Sequence, residues 1–116
     1  MDECKLVNTV GYLIGEPAVL EMVAEECSEL AHPCLKLARI LRKENPTNAS
    51  KIVCRDEIVE EAADMFICME FLASLSWWDE ECTKKMERII REKLRRMRDR
   101  VIVDGMTKEA SAWLKF

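Results

Sequence analysis

Glycine and proline each occur only three times in 116 residues, and aromatic side chains make up 6% of the chain. So few punctuating residues argue against many strands joined by tight turns. They also leave no glycine-rich segment to cradle a phosphate, and no P-loop or Ser/His/Asp nucleophile set is present. No run approaches the roughly 18 consecutive apolar residues that a membrane span needs. The N-terminus lacks a basic stretch leading into an apolar run and a cleavage site. A soluble, cytoplasmic protein with no membrane partner is therefore expected. The six cysteines, at 4, 27, 34, 54, 68 and 82, never fall as C-x-x-C. Most lie inside apolar helical patterns, where a free thiol behaves as a small hydrophobe, so buried thiols are expected ahead of a disulfide or a metal site. The one histidine, His32, is read as a structural residue.

What is abundant is Leu, Ala, Glu, Lys, Arg and Met, the composition of helices. The length suits one compact core and is too short for two ordinary domains, so residues 1–116 are read as a single all-α domain, an antiparallel helical bundle. From Pro17 to about residue 43, apolar residues recur at helical spacing, and proline suits a first helical turn. Glu44 to Asn48 breaks the pattern with turn residues, and Thr47, Asn48 and Ser50 are candidate caps for the next helix. From Ile58 to Leu75, thirteen of eighteen residues are apolar on every side of the helix, which predicts a buried, central element. Residues 76–79 read as a turn with Asp79 as a cap. A third helix over about 80–102 carries Met86, Ile90, Leu94, Met97 and Val101 as its inward stripe, Asp104-Gly105 ends it, and residues 107–114 form a last short helix. The first dozen residues are weakly patterned, an arm or a short helix.

The net charge of −4 is unevenly spread. Residues 84–100 hold nine Lys or Arg against three Asp or Glu, a local +6, which leaves −10 on the rest. An acidic part beside a basic helix suits a site for a metal and a polyphosphate, although a solvated charged face gives the same count.

Four acids stand out. Glu26 and Glu29 are three residues apart, as are Glu61 and Asp64, and such pairs project from one helix face about a turn apart. Both Glu26 with Asp64 and Glu29 with Glu61 are centred on residue 45, inside the turn placed from its chemistry alone. In an antiparallel hairpin all four would lie level in one cluster. Unpaired, such a cluster would be strongly destabilising, and a divalent metal between the two central helices is the simplest neutraliser. All-oxygen ligation favours Mg²⁺, with Mn²⁺ next, over Zn²⁺. Glu25, Glu57 and Glu60 are read as ordinary surface acids. Asp64 is not, because it stands inside Ala62-Ala63-Asp64-Met65-Phe66-Ile67, where exposure would drag apolar neighbours into water. Pro33 removes the donor to the Glu29 carbonyl, so the helix should kink or bulge beside the acids, or else end early.

Glu25-Glu26-Cys27-Ser28-Glu29-Leu30 followed by Glu60-Glu61-Ala62-Ala63-Asp64 resembles the E-E-x-x-E and E-x-x-D motifs of the MazG-type all-α nucleotide pyrophosphohydrolases, over roughly residues 16 to 100. The resemblance implies a helical dimer or tetramer that hydrolyses a nucleoside triphosphate to the monophosphate and pyrophosphate, with Mg²⁺ on Glu26, Glu29, Glu61 and Asp64. Lys93-Leu94-Arg95-Arg96 with Arg100 looks like the family's basic C-terminal helix, which makes Lys93, Arg96 and Arg100 candidates for holding phosphates, against simple ion pairing. A glutamine common in the family before the paired glutamates appears here as Val19 or Glu21. Glu61-Ala62-Ala63-Asp64-Met65 also resembles the phosphoribosyl-ATP pyrophosphohydrolases. In the mechanism expected, Glu26 takes a proton from the attacking water.

A non-catalytic helical dimerisation or regulatory module would use the same stripes without chemistry, and metal titration separates the two. Nucleic acid is not expected as a partner, because the chain is acidic and its basic residues are interrupted by core positions. Trp77, Trp78 and Trp113 are read as packing residues ahead of base-stacking ones. The apolar stripe of the first long helix points nearly opposite to Glu26 and Glu29, so with the acids turned to the next helix the stripe needs another surface. A homodimer or homotetramer is the expected assembly.

Overall fold

The computed structural model describes residues 2–43 and 50–103, and these form four helices with no strand among them: α1 (Glu3–Ile14), α2 (Glu16–Arg42), α3 (Lys51–Ala73) and α4 (Glu80–Val103). The all-α class holds. The turn expected at 44–48, the stop at Asp104-Gly105, the helix at 107–114 and Trp113 lie outside the described residues. The chain divides into two compact units, one up to Trp78 and one from Asp79 on.

Each helix starts where the sequence offers a side-chain cap or a permissive backbone. Asp2 accepts the Lys5 N–H at 2.8 Å, which makes a defined helix of the weakly patterned first dozen residues. Gly15 separates α1 from α2 with φ 87°, a left-handed value that a side chain would strain, and Pro17 sits in the first turn of α2. Lys43 closes α2 in the left-handed conformation, its N–H reaching the Arg39 and Ile40 carbonyls. Ser50 accepts the Val53 N–H at 3.0 Å, so α3 begins well before the apolar run at Ile58.

The first unit is organised by α2 and α3. Val19, near the start of α2, packs with Phe71 and Leu75 at the end of α3. Glu29, farther along α2, meets Glu61, earlier in α3, so the two helices run antiparallel. Val7, Val10, Met22 and Leu72 complete the small core around Val19. Gly11 lets α1 come close to α3: a β-carbon there would stand 3.4 Å from both Phe71 Cδ1 and Ser74 Oγ.

Two expectations need correction here, and one alternative drops out. α3 is not buried on every side: only Cys54, Cys68 and Phe71 are, while Val59 and Phe66 stand about 70% exposed, because α1 and α2 cover one side of it only. The thiols divide, with Cys54 and Cys68 buried, Cys82 half-buried, and Cys4, Cys27 and Cys34 exposed; all six are free. α2 also continues unbroken past Pro33, which is buried, so the early end does not occur.

In the second unit, Asp79 accepts the Cys82 N–H at 2.9 Å and caps α4, as its sequence suggested. This bond holds the Asp79 carboxyl below its ordinary value. Of the stripe expected to face inward, Ile90, Leu94 and Met97 are exposed, and Met86 and Val101 half-buried. No second helix is described in this unit to cover them. Among the described residues, no helix is long and apolar enough to cross a membrane.

Candidate metal centre

Helical periodicity and antiparallel pairing bring acids of α2 and α3 to one level. Single carboxylate oxygens of Glu26, Glu29 and Glu61 lie within 4.8 Å of one another. Glu26 and Glu61 are half-buried and Glu29 is exposed, so the cluster has a closed side and an open one. Asp64 falls outside this triad, yet its charge acts on both Glu26 and Glu61.

Oε2 of Glu26 and Oε2 of Glu61 are shielded from solvent and meet no hydrogen-bond donor among the described residues. A shielded carboxylate oxygen without a donor is an unfavourable arrangement for a charged group. The Glu26 carboxyl is accordingly raised above its ordinary value, first by burial and then by Glu29, Asp64 and Glu61. Burial likewise leads in raising Glu61, followed by Glu29, Asp64 and Glu60. Among the described residues no ion pair neutralises the group: those present are Lys84 with Glu80 and Arg98 with Asp99, both on α4.

A cleft of about 390 Å³ opens beside the acids, lined by Ser28, Glu29, His32, Pro33, Glu57 and Glu61. Sequence reasoning set His32 aside as structural and Glu57 as a surface acid. Their spacing carried the missed signal, since His32 lies three residues after Glu29 and Glu57 one turn before Glu61. Cys68 is a second addition, buried on α3 with its thiol pushed up by burial, then by Glu26, Asp64 and Cys27. The charges of Glu26 and Asp64 act on it, and the raised thiol stays neutral.

Lys93, Arg96 and Arg100 lie on α4, are exposed, and take part in neither of the ion pairs found there. Val19, one of two positions offered for the missing glutamine, is fully buried in the core and is closed to a ligand, whereas Glu21 is exposed. Trp77 donates from Nε1 to the Glu16 carboxylate and stands with its ring centroid 5.9 Å from that of Trp78, tilted by 46°. That contact ties the end of the first unit to the start of α2. Comparison with protein-family models, with curated proteins and with solved structures finds no match to this chain.

Proposed function

We propose that this chain is a divalent-metal-dependent nucleotide pyrophosphohydrolase, cleaving a nucleoside triphosphate to the monophosphate and pyrophosphate, in keeping with its resemblance to the MazG-type enzymes. One observation carries the reading: two carboxylate oxygens, on Glu26 and Glu61, are closed to solvent, lack any donor, and stand beside a third acid that is open. A cation between the helices supplies what they lack. The donor set is all oxygen, which fits Mg²⁺ or Mn²⁺ and not a thiolate-preferring ion. Glu26, Glu29 and Glu61 would hold it, with Asp64 at the edge of the group. Bound there, it would neutralise charge on phosphate oxygens and leave part of its shell to substrate.

The protein's own groups then have distinct tasks. Water attacks the α-phosphorus, the new P–O bond forms, and the anhydride bond to the β-phosphate breaks, releasing pyrophosphate. Glu26 is assigned to take the water's proton as general base. Ser28 and His32 line the cleft at the open side and are within reach of a ligand lodged there. Lys93, Arg96 and Arg100 are assigned to the phosphates as charge-assisted donors.

The test is a panel of canonical and modified nucleoside triphosphates incubated with the full chain and Mg²⁺, scored for pyrophosphate. Release that stops with EDTA and returns with Mg²⁺ supports the reading. Metal binding without hydrolysis of any member moves the chain to the alternative of a non-catalytic helical module.

A further inference from the structure

Proline is the least favourable residue for the interior of a helix, yet α2 runs through Pro33 unbroken to Arg42. Pro33 is buried and lines the cleft beside the acids, together with Ser28, Glu29 and His32 of the same helix. In a helix each main-chain carbonyl points toward the N–H four residues on. Proline has no N–H, so the main-chain oxygen of Glu29 loses its helical donor. Glu29 and Pro33 both border the cleft, and the oxygen that lies between them in that row borders it as well.

Across the cleft, Glu57 is level with Pro33 by the register that sets Glu61 level with Glu29, and both α3 acids are half-buried. The freed oxygen therefore joins a wall made mostly of acceptors, the carboxylates of Glu29, Glu57 and Glu61. What such a wall lacks is donors, and a hydrated divalent ion brings them, because Mg²⁺ keeps several of its waters when carboxylates bind it. The two ends of Glu29 suit different parts of that shell. Helical side chains lean toward the N-terminus, which takes the Glu29 carboxylate to Glu26 and Glu61. Its carbonyl points the other way, toward Pro33, and so meets the shell's water and not the ion.

We infer that Pro33 is a positioning residue for the metal centre: by withholding an N–H, it leaves the Glu29 main-chain oxygen to accept a hydrogen bond from a water of the divalent ion's shell. This role rests on the metal reading given above and adds a main-chain acceptor to the side chains assigned there. Outer-shell partners of this kind typically change metal affinity by roughly 10- to 100-fold.

Titration of the isotopically labelled full chain with Mg²⁺, followed by carbon NMR, tests it. In the wild type the carbonyl carbon of Glu29, read through the Leu30 N–H, should shift by more than those of Ser28 and Leu30. The side-chain carboxyl carbons of Glu26 and Glu61 should shift in parallel. Pro33→Ala returns a donor to the Glu29 carbonyl. At saturating Mg²⁺ it should keep the carboxyl shifts and lose the carbonyl shift, and calorimetry should show Mg²⁺ bound about tenfold more weakly. A proline that only shapes the helix would leave the wild-type carbonyl unmoved. If Pro33→Ala does not fold, the wild-type titration decides. Carboxyl shifts beside an unmoved Glu29 carbonyl, or equal Mg²⁺ affinity in Pro33→Ala, would overturn the role of Pro33 and leave the metal reading in place. No shift at any of these carbons would overturn both.

Discussion

Glu26 on α2 and Glu61 on α3 bring carboxylate oxygens within 4.8 Å of each other, and Oε2 of each is closed to solvent and meets no donor among the described residues. The first expected consequence is an unusual pH dependence of the metal-free protein. Both carboxyls are raised above their ordinary value of 4.5, so the folded state holds their protons more tightly than the unfolded one. Their contribution is fully present below that value and is lost as pH rises through it to the raised values. In EDTA, the melting temperature should therefore fall on passing upward through the carboxylate range, and millimolar Mg²⁺ should reverse the fall. A melting temperature that climbs through this range in EDTA would contradict the arrangement.

Substitution of the acids separates their chemical role from their structural one. Glu29→Gln and Asp64→Asn should each abolish Mg²⁺-dependent hydrolysis, and in EDTA each should melt no lower than wild type because acid repulsion is relieved. Near wild-type turnover in either variant would remove that residue from the metal site.

The basic row on α4 gives a third expectation. Lys93→Ala and Arg96→Ala should raise KM for the triphosphate, on the order of tenfold for a charge-assisted contact, without altering Mg²⁺ affinity measured by calorimetry. Unchanged kinetics in both variants would return the row to a solvated face.

A fourth concerns the start of α3. Ser50→Ala removes the acceptor of the Val53 N–H and should lower stability by about 1 kcal/mol, read from urea unfolding at unchanged m-value. Because α3 carries Glu61 and Asp64, the same variant should weaken Mg²⁺ binding only slightly if the frayed turn stays local.

The sequence by itself determined the helices and the level of the acids. Caps at Ser50 and Asp79, proline at 17 and glycine at 15 act on neighbouring backbone groups, so their effect is local and readable. The shared midpoint of the acid pairs was readable too, because an antiparallel pair of helices has one register. Tertiary structure decided what depends on which surfaces meet. It brought Glu26, Glu29 and Glu61 within 4.8 Å and set Asp64 outside that distance. It also left Val59 and Phe66 in the open although their segment is apolar all round, since an apolar residue is buried only where another surface arrives to cover it, and periodicity does not say which faces find a neighbour within one chain.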